Sequence, residues 1–527
     1  MDNFVMYLIV MVYFLALAFL GYLGYKKTND SKDFLIGGGE MNPIVMALSY
    51  GATFISASAI VGFGGVAATF GMGIQWLMFL NMFVGVVVAF IIFGRPTRRL
   101  GVKLKSSTFA QFLGSFYNSD KIRVFVAAVI FIFMPLYAAA VLRGGVFCMQ
   151  EVFGIDFDLA LLVFTIIVAS YVIAGGMKGV MYTDALQAVI MFVCMAFILF
   201  GVYKALGMGF SEANQALEAM KDKVPEKLAA VGHQGWTAMP RWGSQQWYTL
   251  VTSFIMGVGI GCLAQPQLVV RFLTVSSTKK LNQGVVVGCV FLLVTVGVIY
   301  HVGALSNLYF FQNDGKISVA MVEATDKIIP YFIDRVMPSW FVIIFMLCIL
   351  SASMSTLSAQ FHTMAAAAGA DIYGVFAGND EAKRNKTTLM IRLGVLVSIL
   401  ISFIICFVLG EKSDSPIIAI STSLFMGICA SSFLPAYFCA LYWKKVTKQG
   451  AYASMWVGVV VTILLLLFIH AKEATALGVC KSLFGTDVLI TDGTMRFIDP
   501  IMFAFPLSCI TIVVVSLMTK NKSVDAK

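Results

Sequence analysis

Five hydroxyl side chains crowd one otherwise apolar stretch, CILSASMSTLSAQ at residues 348–360. In a helix, Ser351, Ser355 and Ser358 recur at i, i+4 and i+7 and share one face, with Thr356 beside it. A single such hydroxyl in a membrane helix commonly bonds a carbonyl one turn back and predicts little. Several together can supply the oxygen ligands that a small hard cation needs without burying negative charge. The stretch therefore predicts part of a cation site.

Two other apolar stretches are interrupted, GATFISASAIVGFGG at 51–65 and GVGIGCLAQPQ at 257–267. Glycine and proline weaken helical hydrogen bonding and free backbone carbonyls. At membrane depth such groups are tolerated only where they face a cavity or an ion. Close helix packing is the alternative for either stretch alone. Because each stretch opens one of two similar blocks, 43–203 and 246–442, the pair favours the central site of a secondary transporter.

The elements that must position these residues are membrane helices. Of 527 residues, 60% are hydrophobic and 12% charged, whereas soluble chains carry about 25% charged residues. About thirteen apolar stretches are long enough to cross about 30 Å of hydrocarbon, which predicts an all-α polytopic membrane protein in contact with the lipid bilayer. They lie near 5–25, 43–69, 75–94, 124–148, 159–175, 182–203, 246–272, 282–308, 338–370, 387–409, 415–442, 449–471 and 498–518.

The net charge of +10 reflects orientation in the membrane. Basic clusters occupy alternate loops, and the positive-inside rule assigns those loops to the cytoplasm, with the N-terminus outside and the C-terminus inside. A bacterial plasma membrane is the expected location. Because the charges are spread over loops, no nucleic-acid partner is expected. The clusters are Lys26, Lys27 and Lys32; Arg95, Arg98, Arg99, Lys103 and Lys105; Lys279 and Lys280; Lys383, Arg384 and Lys386; and Lys444, Lys445 and Lys448.

Four motifs in this order make the chain resemble the sodium:solute symporters, solute carrier family 5, from about residue 5 to 518. They are GATFISAS, MKGVMYTDALQ (177–187), AQPQLVVRF (264–272) and ASMSTLSAQ. The resemblance implies one transporter domain, 1–527, with a LeuT-type core of two inverted five-helix repeats. An extra N-terminal helix would fill 1–42, the repeats 43–205 and 246–445, and two extra helices 446–527.

The resemblance also implies sodium as the coupling ion. The main sodium site would use the carbonyls of Ala52, Ile55 and Ala352 and the hydroxyls of Ser355 and Thr356. These are the carbonyls of the first interrupted stretch and the hydroxyls of 348–360, as the chemistry of a hard cation requires.

A second sodium site, present in some members of the family, would use Asp184, Ser355 and Ser358. Ala359 departs from the pattern, since two-sodium members can have a hydroxyl there. A carboxylate inside a span is costly unless it is paired or ion-bound, which favours a functional Asp184. The alternative is an interfacial aspartate that caps its helix.

The solute would lie between the two interrupted helices, at positions carried over from the family. Few of these side chains can hydrogen-bond, which argues against a hexose and favours a compact solute with an apolar body. Proline carriers share the Gln-Pro pair but have aromatic residues at the positions of Val258 and Cys262. The predicted substrate residues are Ala59, Val61, Gly62, Val258, Cys262, Gln265 and Pro266.

Arg143 is the one cation that we predict deep inside a span, in LYAAAVLRGGVF. It could bind the carboxylate of the solute through its planar fork, or its long side chain could snorkel to the outer surface. His362 lies one turn beyond Ser358, where a packed neutral imidazole is the expectation and a proton relay the alternative.

These patterns predict a sodium-driven symporter for a small organic solute, with a monocarboxylate such as lactate, pyruvate or acetate as the first candidate. The alternatives are sodium/proline or sodium/pantothenate symport, a proton-coupled carrier or a transporter-like sensor. The histidines at 233, 301, 362 and 470 form no catalytic constellation, so no enzyme is expected. A monomer should suffice for transport. A second sodium would make uptake of a monocarboxylate electrogenic.

Overall fold

The computed structural model describes residues 3–28, 30–378, 380, 386–410 and 417–519. The fold is all-α, as predicted. Within these residues, eleven helices are long and apolar enough to cross a membrane. The predicted number of about thirteen is not confirmed, because two of the predicted spans contain shorter apolar helices, Pro43–Phe54 and Phe157–Ser170. The basic residues Lys383 and Arg384 lie outside the described residues.

Fourteen helices, long and short, are numbered because they position the site or the outer surface. They are α1 (Asn3–Lys26), α2 (Pro43–Phe54), α3 (Phe63–Phe70), α4 (Asp120–Phe153), α5 (Phe157–Leu206), α6 (Thr278–Asp314), α7 (Ser339–Ala365), α8 (Thr387–Leu409), α9 (Ile417–Ile428), α10 (Leu434–Tyr442), α11 (Lys448–Phe468), α12 (Ala471–Leu477), α13 (Val479–Phe484) and α14 (Ile501–Met518). The 50-residue α5 is bent at Gly176, whose backbone has φ 55° and ψ −164°. Glycine adopts this conformation without steric cost.

Shorter helical segments complete the described chain. The α-helical ones are Ser31–Ile36, Gln75–Met82, Arg95–Lys103, Phe109–Phe116, Phe210–Ala219, Glu226–Ala230, Gln245–Tyr248, Gly259–Gly261, Pro266–Val269, Ile328–Val336 and Tyr373–Ala377. π-Helical segments are Ser58–Gly62, Phe83–Gly94, Thr249–Val258, Ala366–Ile372 and Cys429–Phe433. 3₁₀ turns are Gly37–Gly39, Gly71–Ile74, Met220–Lys223, Cys262–Ala264, Val270–Leu273, Ser318–Ala320, Thr325–Lys327 and Met495–Phe497.

The first predicted interruption separates α2 from α3. Asn42 caps α2, accepting a hydrogen bond from the backbone N–H of Ile44 at 2.8 Å, and Pro43 occupies the first helical position, where its missing N–H costs nothing. The helix ends at Phe54, because Ile55 turns to an extended conformation with φ −92° and ψ 92°. Helical structure resumes at Ser58. The carbonyls at the end of α2 are therefore released from the regular hydrogen-bonding ladder.

The second predicted interruption lies at Gln265. Its backbone is extended, with φ −67° and ψ 119°, between the turn Cys262–Ala264 and the helix that starts at Pro266. Proline lacks an N–H and disfavours the helical conformation in the residue before it, which explains why the break falls there. Both interruptions are confirmed.

Helix α7 is the most enclosed of the long helices. In the span Ser339–Ala377, 89% of the most apolar 18-residue segment is buried inside the protein. The corresponding value is 28% in each of the spans of α1 and α14. α7 packs against α2, α4 and α5, and every residue from Phe345 to Thr363 is buried. The hydroxyl-bearing stretch therefore lies in the interior of the protein, and α1 and α14 have the exposed apolar surface of helices that face lipid.

The loops at 206–245 and 310–337, on the predicted outer side, contain short helices. Phe210–Ala219 buries Ala213 and Leu217, and Ile328–Val336 buries Phe332 and Ile333. The stretch 471–497 contains α12 and α13.

Candidate functional site

The end of α2 lies directly against the hydroxyl face of α7. Ser355 Oγ donates to the carbonyl of Ala52 at 2.9 Å, and Thr356 Oγ1 donates to the carbonyl of Thr53 at 3.0 Å. Ser355 Oγ also lies 3.2 Å from the carbonyl oxygen of Ala352. All of these residues are buried. Residues about 300 positions apart in sequence thus form one cluster of hydroxyl and carbonyl oxygens.

Four of the five residues predicted for the main sodium site meet in this cluster. The fifth, Ile55, follows α2 and is the residue at which the chain leaves the helix. Oxygen atoms from neutral hydroxyls and carbonyls suit a sodium ion, since the hydroxyl protons can rotate away and leave lone pairs facing the cation. The arrangement can hold a small monovalent cation at the join between α2 and α7.

Asp184 is buried beside this cluster and forms an ion pair. Its Oδ2 atom lies 2.9 Å from Nη2 of Arg271 and accepts from Ser49 Oγ at 2.8 Å and Thr53 Oγ1 at 3.3 Å. The two charged side chains are 0% and 1% exposed. Arg271 also donates from Nε to Ser49 at 3.0 Å and from Nη2 to Thr53. The pair joins α5, the end of α2 and the segment after the second break.

Two sequence-based interpretations are therefore wrong. Arg143 is not the one buried cation, because Arg271 is enclosed as completely. Asp184 is not an interfacial helix cap, because it lies inside α5 with no exposed surface. Arg271 belongs to the motif AQPQLVVRF. A charged residue in such an apolar stretch indicates a paired or functional group, and this could have identified Arg271 from the sequence.

The residues predicted for a second sodium site are partly brought together. Ser358 Oγ lies 3.4 Å from Asp184 Oδ1 and 3.0 Å from the carbonyl oxygen of Ser355. The other carboxylate oxygen of Asp184 is occupied by Arg271, Ser49 and Thr53. A cation at this point would share a carboxylate that already has a positively charged partner.

The predicted substrate residues are buried around the two breaks. Ala59 is 8% exposed, Val61 and Gly62 are buried in the π-helical turn after the first break, and Pro266 begins the helix after the second. Val258, Cys262 and Gln265 are 4%, 1% and 1% exposed. Nε2 of Gln265 is buried without a hydrogen-bond partner in the described chain. Such a donor is costly unless a ligand or water satisfies it.

Hydroxyl groups next to the first break were missed by the sequence analysis. Ser56 Oγ bonds Ser58 Oγ, and the hydroxyl of Tyr137 on α4 lies beside both. All three residues are buried. The first break therefore has hydrogen-bonding groups in addition to the predicted substrate residues. Ser56 and Ser58 were visible in GATFISAS, but the approach of Tyr137 across 80 residues was not.

Arg143 and His362 are both buried. The guanidinium of Arg143 is 4.9 Å from the ring centre of Phe147 and the residue is 1% exposed, so the snorkelling alternative is wrong. The next residue, Gly144, packs against Ala57 in the first break. His362 is buried with Nε2 2.8 Å from the carbonyl oxygen of Phe34, the packing that was expected.

Comparison with known proteins agrees with this architecture. The sodium:solute symporter family matches residues 34–458. The osmoregulated proline transporter OpuE of Bacillus subtilis is 25% identical over 523 residues, covering 97% of this chain and 94% of the relative. The sodium/proline symporter of Salmonella typhimurium is 25% identical over 459 residues, covering 86% of each chain.

A solved structure shares the whole fold. The substrate-bound, outward-open state of a Na⁺-coupled sialic acid symporter superposes with a TM-score of 0.76, 16% identity and full coverage of both chains. The LeuT-type fold predicted from the motifs is confirmed. The protein is a multi-pass membrane transporter, and sodium is its coupling ion, as predicted. With its family matched over most of its length, this chain belongs to the sodium:solute symporter family.

Proposed function

We propose that this protein imports a small carboxylate-bearing solute together with sodium, by alternating access, and that proline is the first candidate. The observation that carries the sodium step is the contact of Ser355 and Thr356 with the carbonyls of Ala52 and Thr53. A cation bound there would hold α2 against α7 and so fix the position of the first break, where the solute binds. Ion binding would thereby favour solute binding.

Three polar groups support a carboxylate-bearing solute. The unpartnered Nε2 of Gln265 and the hydroxyls of Ser56 and Ser58 can donate hydrogen bonds at the two breaks. The names of the relatives, which include sodium/proline symporters, favour proline over the monocarboxylate first expected. A monocarboxylate is the second candidate, because Val258 and Cys262 are smaller than the aromatic residues that the resemblance implies in proline carriers.

The proposed ligands of the main sodium are Ala52, Ile55, Ala352, Ser355 and Thr356. We assign Asp184 and Arg271 to positioning rather than to ion binding. The pair fixes Ser49 and Thr53 of α2, and Thr53 contributes a carbonyl to the cluster. A second sodium at Asp184 and Ser358 would have to displace or share the contact with Arg271, so one sodium per cycle is the simpler proposal.

The remaining proposals concern the whole chain. We place the protein in a bacterial plasma membrane with the N-terminus outside and the C-terminus inside, from its loop charges. The two inverted repeats are assigned to 43–205 and 246–445, since each starts with an interrupted helix. A monomer contains all the residues of the proposed sites.

Uptake into proteoliposomes tests the function. Labelled proline, lactate, acetate, pantothenate and a hexose are offered with an inward sodium gradient, or with an equal potassium gradient. We expect sodium-dependent accumulation of proline and none of the hexose. Accumulation driven equally by a proton gradient without sodium would contradict the sodium proposal. Sodium-driven uptake of lactate or acetate alone would move the second candidate to first place.

A further inference from the structure

A cavity of 610 Å³ lies on the predicted outer side of the protein, outside the central site. It is bounded by α3, α9, the end of α11 and the loop that includes α12 and leads to α14. Its volume is in the range of small-molecule sites, about 300–1,000 Å³. The candidate substrate residues do not line it, so it is a separate compartment from the site at the two breaks.

Two cations line this cavity without a carboxylate partner. Lys472 and Arg496 form no ion pair within the described part of the chain. Lys472 is the second residue of α12 and its side chain is exposed. The surrounding protein lowers the pKa of its ammonium, while the charges of Glu473 and Asp326 raise it. Arg496 lies with its guanidinium 4.8 Å from the ring centre of Phe497, and its Nε atom is buried without a hydrogen-bond partner. Both side chains can accept a negatively charged ligand.

The acidic residues in the wall are already engaged. Glu473 pairs with His470, two residues after the end of α11. Asp499 accepts a hydrogen bond from the backbone N–H of Ile501 at 3.0 Å, and its own N–H donates to Thr252 at 2.9 Å. The remaining polar lining is neutral and includes Thr69 and Gln245. These carboxylates keep their negative charge, so a ligand would meet Lys472 and Arg496 beside acidic groups. Within the described part of the chain, the buried Nε of Arg496 is a donor that no protein group satisfies.

The cavity adjoins the central site through a pair of aromatic rings. Phe254 lines the cavity, and its ring centre is 5.4 Å from that of Phe63 in an edge-to-face contact. Phe63 follows Gly62 directly, and Phe254 lies one helical turn before Val258. The ring contact thus stands between the cavity and the residues proposed to bind the solute.

From this placement we propose that Lys472 and Arg496 form an outer binding site for the carboxylate of the solute, occupied before the Phe63–Phe254 contact opens. The inference rests on the proposed function in one respect, that the transported solute carries a carboxylate. The site raises the local concentration of the solute at the entrance of the pathway. Binding at this site should not depend on sodium, because none of the proposed sodium ligands lines the cavity.

Fluorine NMR with trifluoroacetate as the probe tests the site directly, independently of which solute is transported. The full-length protein in nanodiscs should broaden the probe signal, and proline or acetate should reverse the broadening. In the Lys472→Gln/Arg496→Gln variant the affinity for the probe should fall about tenfold or more. Broadening should be unchanged in Ser355→Ala and should not require sodium.

A matched double variant controls for net charge. Lys481→Gln/Lys227→Gln removes two positive charges from exposed outer positions that do not line the cavity. Its affinity for the probe should equal that of the wild type, and Arg496→Lys should retain most of the binding. An equal loss of probe affinity in both double variants would show that the effect comes from general surface charge, and it would overturn the inference. Unchanged binding in the Lys472→Gln/Arg496→Gln variant would overturn it as well, provided the variant keeps the wild-type unfolding temperature.

Uptake kinetics separate this inference from the proposed function. With a transported carboxylate, Lys472→Gln should raise the KM for the solute about threefold to tenfold and leave the sodium half-saturation unchanged. Failure of every carboxylate to be transported by the wild type would contradict the proposed function but not the NMR result. An unchanged KM with normal uptake would show that the cavity plays no part in capture.

Discussion

At the scale of single residues, the oxygen cluster at the join of α2 and α7 makes the sharpest prediction. Ser355→Ala removes one proposed sodium ligand and should raise the sodium concentration for half-maximal uptake about tenfold or more. Ser351→Ala is the matched control in the same helix, since its hydroxyl lies 3.0 Å from Tyr13 OH on α1. Sodium titration of initial uptake rates measures both. An equal increase in the half-maximal sodium concentration in both variants would contradict the assignment of Ser355 as a sodium ligand.

The buried pair of Asp184 and Arg271 predicts a large and non-additive effect on stability. Removing either partner leaves the other charge buried and unpaired, at a cost of about 3–5 kcal/mol. The double variant Asp184→Asn/Arg271→Gln should cost much less than the sum of the two single changes. The Asp33–Lys178 pair, with both side chains 16% exposed, is the control, and Asp33→Asn should cost less than about 1 kcal/mol. Denaturation in detergent measures the differences, and additive losses would contradict the coupling.

The residue types were easier to predict from sequence than their partners. The chemistry of a serine or threonine oxygen, or of Gly and Pro at a break, can be predicted from the residue and its immediate neighbours in sequence. Helix α7 and both breaks accordingly agree with the prediction. Partner choice depends on which helix faces meet. Arg271 reaches Asp184 over 87 residues and Ser49 over 222, and no periodicity within one helix encodes such a meeting. Tyr137 beside Ser56 and Ser58 was missed for the same reason.

At the scale of elements, the contact between α3 and α6 depends on a glycine. A Cβ atom added to Gly303 would lie 2.3 Å from the carbonyl oxygen of Gly64, so Gly303→Ala must push the helices apart. Overpacking of this kind costs about 1–3 kcal/mol. Gly297→Ala, in the same helix, would meet its nearest neighbour at 3.7 Å and should be tolerated. Thermal unfolding of both variants measures the difference, and equal stability would contradict the close approach.

The outer turn at Thr325–Lys327 predicts a dependence of stability on pH. Burial raises the pKa of Asp326 to about 7, although the charge of Arg143, the backbone N–H of Ile418 and the charge of Lys472 lower it. The folded state then holds a proton that the unfolded state releases near pH 4, so stability falls as pH rises from about 4 to about 7.

Asp326→Asn tests this dependence, because it keeps the shape of the side chain and removes its titration. The unfolding temperature of the variant should change less between pH 4 and 7 than that of the wild type. His470 also titrates: burial lowers its pKa, but the hydrogen bond and charge of Glu473 raise it more. The wild type and the variant share this contribution, so their difference isolates Asp326. Parallel pH profiles would contradict the raised pKa.

At the scale of the whole molecule, the charge moved per cycle distinguishes the two candidate solutes. One sodium with zwitterionic proline carries one positive charge, worth about 2.3 kcal/mol across 100 mV. One sodium with a monocarboxylate carries none, and its uptake is electrogenic only if a second sodium binds. Currents across a supported membrane during proline uptake should therefore equal one charge per solute. Two charges per proline would place a second sodium in the cycle and contradict the positioning role of Asp184.

The burial of α7 has a consequence for how such a carrier can change over time. Three of the five residues proposed to coordinate the ion lie in α7, the helix with the least freedom to vary, since neighbours enclose residues 345–363. The side chains at Val258 and Cys262, by contrast, are proposed to contact only the solute between the two breaks. Substrate specificity can therefore change in evolution through a few substitutions at such positions, while the sodium site that couples transport to the ion gradient is kept.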